Sequence, residues 1–244
     1  MLVTGAAQRI GRAISVEFAS HGYAIVVHHN RSAGEAFALA EEIASMGNIA
    51  IPVAMDLSID YAGTRLLSDA WDLCGGNLAA VINCAAIFDE DDGPGMFSLP
   101  SALRHFSINA ITPAEITAAY HDRLFREGRS GSVVNIIDQR VMKQSGNLHM
   151  SYEMSKSALY TATLAQARAF APTLRVNGLA PGLTLPSGHL QGDDFFMACT
   201  RNPMRRCPSP EEVAEAVVFL ATNPALCGTI LPVDCGERFV QGSI

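Results

Sequence analysis

The chain has 244 residues, 49% of them hydrophobic and 17% charged, with a formal net charge of −7. Such a composition can bury a large core and excludes a disordered chain, while the acidic balance supplies none of the basic field that nucleic-acid binding needs. The six cysteines, at 74, 84, 199, 207, 227 and 235, include no C-x-x-C pair and have no histidine at zinc spacing. Six free thiols in a reducing compartment and no metal are therefore expected. The opening residues MLVTGAAQRIG lack the basic and apolar regions of a secretory signal, and the uncharged stretch 75–88 is too short to span a bilayer. A soluble cytoplasmic protein is expected.

In chain order, a short apolar strand at 1–3 leads into a helical pattern over 9–21. Strands at 24–28, 49–55, 80–83, 132–137, 175–179 and 229–233 then alternate with helical patterns at 33–46, 61–74, 99–127, 151–170 and 210–222. The strands are apolar throughout, as strands covered on both faces are. Repeated β-α units of this kind predict an α/β fold: one doubly wound Rossmann-type domain over 1–244, with a parallel sheet of about seven strands and helices on both faces.

The first β-α turn reads Thr4-Gly5-Ala6-Ala7-Gln8-Arg9-Ile10-Gly11. Glycines there let backbone approach a pyrophosphate, and the N–H groups that open the next helix carry positive partial charge. The second strand runs into His28-His29-Asn30-Arg31-Ser32, about twenty residues after Gly11. An NAD site usually has an acid here for the ribose 2′-hydroxyl. The first acid is Glu35, and Arg31 with Ser32 instead offers a planar fork and a hydroxyl suited to a 2′-phosphate. NADP(H) is the expected cofactor; the bland alternative is an exposed polar loop.

Tyr152-Glu153-Met154-Ser155-Lys156 opens a helical pattern, so Tyr152 and Lys156 share one helix face. An ammonium near a phenol lowers the phenol's pKa, which makes the pair a proton-transfer device.

These features, in this order, resemble the short-chain dehydrogenase/reductases over essentially the full length. The motifs are TGAAQRIG, Asp56-Leu57 after the third strand, Asn83-Cys84-Ala85 after the fourth, Asn109 in a helix, YEMSK, Ala180-Pro181-Gly182 and the closing Val233-Asp234-Cys235-Gly236. The resemblance implies Tyr152 as proton donor and Lys156 as the residue that binds the nicotinamide ribose and lowers the tyrosine's pKa. It implies Asn109 as the holder of a relay water. For the cofactor it implies Gly5, Gln8, Arg9, Ile10 and Gly11 at the pyrophosphate, and His29, Asn30, Arg31 and Ser32 at the 2′-phosphate. Asp56 and Leu57 fall to the adenine, Asn83, Cys84 and Ala85 to the adenosine ribose, and Pro181, Gly182 and Thr184 to the carboxamide. A substrate lid around 186–207 and a homotetramer built on the faces of helices 99–127 and 151–170 are implied as well.

The departures from the family pattern carry information. Asp138, fourteen residues before Tyr152, stands where the family's serine is expected. A carboxylate roughly 4 Å from a phenol opposes its ionisation by about 4 kcal/mol at an effective dielectric near 20. That favours reduction over alcohol oxidation, and a carboxylate suits the N–H groups of a nitrogen heterocycle. Arg9 replaces the middle glycine of the turn and can reach the substrate; Phe88 can stack on a flat ring. Arg9, the His-x-x-Arg-Ser segment (His28, Arg31, Ser32), Phe88 and the Asp138, Tyr152 and Lys156 set together resemble the pteridine and dihydromonapterin reductases, whose matching residues clamp a reduced pterin. The bland alternatives are a phosphate ligand for Arg9, core filling for Phe88 and a helix cap for Asp138. Ala86 departs from the serine common in pteridine reductases. The acidic segment 89–93 is expected to be a solvated loop, and the apolar residues Phe195-Phe196-Met197 either cover a ligand or pack on the body. An NADPH-dependent pterin reductase is the leading expectation, with a broad carbonyl reductase or a silent NADP(H)-binding protein as alternatives.

Overall fold

Strands β1 (Leu2–Val3), β2 (Ile25–His29), β3 (Ala50–Ala54), β4 (Ala80–Asn83), β5 (Gly131–Ile136), β6 (Leu174–Pro181) and β7 (Ile230–Val233) form one sheet in the computed structural model. Every pairing is parallel and the order is β3-β2-β1-β4-β5-β6-β7. The structure describes residues 1–89, 92–142, 149–188 and 190–240, so Glu90 and Asp91 of the acidic segment and His189 of the expected lid lie outside the described residues.

Side chains alternate between the two faces of the sheet, as the strand period of two requires. Val3, Val27, Ile82 and Val134 pack with Ile14 and Phe18 of α1 (Arg9–Ser20), Leu39 of α2 (Ala33–Ser45) and Val217 of α8 (Pro210–Thr222). Leu2, Val26, Val81 and Val133 pack on the opposite face with Leu66 of α3 (Ala62–Leu73) and with Ile116, Tyr120 and Leu124 of α5 (Thr112–Glu127). Both faces of the central strands are thereby dry, and a run such as Ala80–Ile82 has no polar side to show. Because β2 lies on one side of β1 and β4 on the other, the chain reverses direction at β1. The crevice outside the strand carboxyl ends at such a switch point is where ligands bind in open α/β sheets.

Three sequence expectations need correction. The helix expected over 99–127 is split into α4 (Leu99–Phe106), a π-helical turn at Ser107–Ile111, and α5. Pro113, in the first turn of α5, has no N–H to give to the preceding helix. The wide turn buries Asn109 completely. Second, residues Gly192–Cys199 form a helix, α7, within the expected lid, where the sequence pattern assigned none. Third, not all six cysteines are free thiols: Cys199 and Cys207 form a disulfide. Cys199 ends α7, and the next turn is closed by Asn202, whose Nδ2 donates to the Arg206 carbonyl at 2.6 Å. That turn brings the two Cα atoms to 4.8 Å, within the range a disulfide spans.

Candidate active site

The loops at the carboxyl ends of β1, β2, β4, β5 and β6 wall a single cavity of about 950 Å³. At its base, Thr4 Oγ1 accepts from the backbone N–H groups of Cys84 and Ala85, both at 3.0 Å, and ties the first turn to the fourth strand. Gly5, at φ +63°, passes so close to that strand that an added Cβ would lie 2.9 Å from the Ala85 Cα. Gly11 is required by the helix behind the turn, since a Cβ there would meet the Gly5 carbonyl oxygen at 2.1 Å. Arg9 takes φ +54°, a left-handed conformation that suits the glycine it replaces. Its guanidinium reaches across the cavity mouth and donates to the Pro186 carbonyl at 2.9 Å.

His28 is a participant that sequence reading matched only by motif. Its Nδ1 accepts from the Gly5 N–H at 3.0 Å and its Nε2 lies 3.0 Å from the Met55 carbonyl. An accepting Nδ1 fixes the neutral tautomer with the proton on Nε2. Burial lowers the imidazole to about 4, which agrees with that assignment. His28 therefore braces the phosphate-binding turn against the end of β3. Beside it, Asn30, Arg31 and Ser32 line the cavity at the N-terminus of α2. The nearest acid on that helix, Glu35, is engaged by Gln8 Nε2 at 2.7 Å. Asp56, also on the wall, accepts from Ser58 N and Oγ at 2.9 and 2.7 Å, and those bonds lower its pKa.

On the opposite wall the Tyr152 hydroxyl donates to Asp138 Oδ2 at 2.8 Å. Burial first, and the Asp138 charge second, hold the phenol well above its ordinary range. Lys156 Nζ donates to the Ile136 carbonyl at 2.8 Å and lies 5.9 Å from the centre of the Tyr152 ring. Burial brings this ammonium down to about 8, with Asp138 acting the other way. Phe88 meets Tyr152 edge-to-face at 4.9 Å between ring centres and remains 38% exposed, so it is a wall of the cavity and not core filling.

Of the residues singled out from sequence, Asn83 and Asn109 do not line the cavity. Asn83 Nδ2 is spent on Asn135 Oδ1 at 2.8 Å, beneath the sheet end. Asn109 lies one layer behind: its Oδ1 accepts from Ile87 N at 2.9 Å, and its Nδ2 donates to the Ile87 carbonyl and to Ser155 Oγ, each at 3.0 Å. It fixes the backbone just before Phe88 and the helix that carries Tyr152. The acidic segment is likewise more than a solvated loop. Asp92 is buried, and its Oδ2 accepts from Tyr152 N at 2.7 Å at the start of α6 (Met150–Phe170). Among the described residues, no group of three or more His, Cys, Asp or Glu is placed to hold a metal ion. None of the described helices is long and apolar enough to cross a membrane.

A doubly wound sheet with a glycine-bearing phosphate turn and a Tyr–Lys pair on facing walls of its switch-point crevice is the architecture of a dinucleotide-dependent oxidoreductase. The chain belongs to the short-chain dehydrogenase/reductase family: the family model described as enoyl-(acyl carrier protein) reductase matches residues 5–237. Among its relatives, pteridine reductase 1 of Leishmania tarentolae is 31% identical, with 98% of this chain and 96% of that protein covered. A Streptomyces violaceoruber protein assigned as ketoacyl reductase 2 of the granaticin polyketide synthase is 30% identical, and a dihydromonapterin reductase of Escherichia coli is 25% identical. Each of these two comparisons again covers 98% of this chain and 96% of the relative. In three dimensions the chain is similar to the crystal structure of FolM alternative dihydrofolate reductase 1 from Brucella suis in complex with NADP. The TM-score is 0.92 at 37% identity, covering 99% of this chain and 96% of the other.

Proposed function

We propose that this protein is an NADPH-dependent reductase of a pterin or closely related nitrogen heterocycle, acting as a single domain over 1–244. The observation that carries the reading is the Asp138 carboxylate 2.8 Å from the Tyr152 hydroxyl. The pteridine, dihydromonapterin and alternative dihydrofolate reductases among its relatives support the substrate class, and the NADP of the Brucella suis structure supports the cofactor.

The cavity fits such a cofactor. Gly5 leaves the turn free of a Cβ; Arg31 and Ser32 line the wall at the start of α2; and Gln8 holds the carboxylate of Glu35. Gln8, Arg9, Ile10 and Gly11 hold the pyrophosphate, while His29, Asn30, Arg31 and Ser32 hold the 2′-phosphate. Asp56 and Leu57 hold the adenine, Cys84 and Ala85 the adenosine ribose, Lys156 the nicotinamide ribose, and Pro181, Gly182 and Thr184 the carboxamide. When bound, the reduced nicotinamide supplies a hydride to a ring carbon of the substrate. Tyr152 supplies the proton to the adjacent ring nitrogen, with Asp138 as the partner that orients the hydroxyl and accepts from substrate N–H groups. A phenol held above its ordinary pKa is protonated near neutral pH, the form that a reductive step needs. Phe88 and Arg9 bound the ring from the two sides of the cavity mouth. Residues 186–207 form a lid, joined to the phosphate turn through the Arg9–Pro186 hydrogen bond.

The test is consumption of reduced cofactor with dihydrobiopterin and dihydrofolate beside a panel of aldehydes and ketones. Turnover of the dihydropterins supports the reading. Turnover of carbonyl compounds alone supports the second reading, a carbonyl reductase, which the 30% identity to the ketoacyl reductase favours. We further propose a homotetramer assembled on α4–α5 and α6, and a cytoplasmic location. Leu99, Leu103 and Phe125 are exposed on the first of these faces. Light scattering that returned a mass near 26.0 kDa, that of one chain, would contradict the tetramer.

A further inference from the structure

Glu237 is a buried carboxylate at the cavity wall that none of the roles above uses. It opens the short 3-10 turn Glu237–Phe239 after β7 and is 7% exposed. Both of its oxygens are engaged. Oε2 accepts from the Leu183 backbone N–H at 2.7 Å, and Oε1 accepts from Gln139 Nε2 at 3.1 Å. Gln139 directly follows Asp138, and Leu183 lies between Gly182 and Thr184, so one side chain joins the loop after β5 to the loop after β6. The fit is close: a Cβ on Gly182 would lie 2.7 Å from Glu237 Oε2. Its base is also held. Glu237 N donates to the Asp234 carbonyl at 2.8 Å, and Asp234 is itself buried, with its carboxylate accepting from Arg238 Nη1 at 2.6 Å. Burial first, and the neighbouring Asp138 charge among the further causes, push the Glu237 carboxyl above its ordinary range. A protein does not keep a carboxylate in such a place for stability alone without donors aimed at it, and here the donors belong to the two loops that face the reacting end of the cavity.

We propose that Glu237 is a positioning residue that holds the segment 181–184 against the Asp138 loop in the conformation that receives the nicotinamide end of the cofactor. This inference rests on the NADPH reading. Its effect is local to one end of the ligand, so the adenosine 2′-phosphate end is indifferent to it.

The experiment measures binding of NADPH and of 2′,5′-ADP, a fragment without the nicotinamide, by calorimetry to the wild type, Glu237→Ala and Glu237→Gln. Glu237→Ala is expected to weaken NADPH by about tenfold or more, the scale of one charge-assisted hydrogen bond, while leaving 2′,5′-ADP unchanged. Glu237→Gln is expected to recover most of the loss. Its carbonyl can still accept from Leu183, and a turned Gln139 amide can present its Oε1, which is buried and without a partner. Equal weakening of both ligands, unchanged NADPH affinity, or a glutamine variant no better than alanine would overturn the proposal. If Glu237→Ala does not fold, Gln139→Ala carries the same test: selective loss of NADPH affinity supports the proposal, and no loss or a loss shared with 2′,5′-ADP overturns it. A wild type that binds neither ligand instead contradicts the NADPH reading itself.

Discussion

The Tyr152 hydroxyl donates to Asp138 at 2.8 Å, whereas the Lys156 ammonium lies 5.9 Å from the phenol ring centre. Burial first, and the carboxylate at hydrogen-bond distance second, keep the phenol protonated; at an effective dielectric near 20 a unit charge at about 4 Å is worth about 4 kcal/mol. Burial of His28 gives stability a pH dependence. Its folded pKa of about 4 lies below the ordinary 6.5 because the ring is buried. Between those values the unfolded chain binds a proton that the folded chain does not. The His28 contribution is thus complete above pH 6.5 and declines by about 3 kcal/mol as pH falls towards 4. Urea denaturation at neutral and acid pH is expected to show a smaller pH difference in His28→Gln than in the wild type. An equal difference in both would show that His28 is not the group that titrates.

At the scale of elements, α6 carries Tyr152 and Lys156, and its first turn is held from outside by Asp92. Helix N-termini leave N–H groups unpaired, and the Asp92 carboxylate takes that of Tyr152 itself. Asp92→Ala is expected to cost about 0.5–2 kcal/mol and to lower turnover through a misplaced Tyr152, while Asp92→Asn keeps most of both; denaturant midpoints and rates on the two variants check this. The disulfide between Cys199 and Cys207 closes a short loop at the end of α7. On loop-entropy grounds it contributes about 2.5 kcal/mol, so reduction by a dithiol is expected to lower the melting temperature by a few degrees, and Cys207→Ser to be insensitive to the reductant. Strands and the paired Tyr152 and Lys156 were legible because hydrophobic period and i, i+4 spacing are local signals. The Asp92 cap and the Cys199–Cys207 bond were not, because each depends on chain segments brought together only by folding. The π-helical turn was hidden although Pro113 stands beside it, because a proline in the first turn of a helix is also tolerated without such a turn.

For the molecule as a whole, the crevice at the switch point between β1 and β4 gathers residues from every part of the chain, from Gly5 to Glu237. Motif order marked most of that wall in advance, since each loop follows its strand. The bridging role of Glu237 and the bracing role of His28 escaped, because each acts through a contact with a distant backbone N–H. The proposed choice of substrate rests on the Asp138 carboxylate beside the Tyr152 hydroxyl. The measurement that tests this most directly is the ratio of dihydropterin to ketone reduction with NADPH in the wild type and in Asp138→Ser. The account predicts that dihydropterin turnover falls by about two orders of magnitude or more, the scale of a lost proton-transfer partner, while ketone reduction is kept or rises. Dihydropterin turnover that survives the serine substitution intact would contradict it.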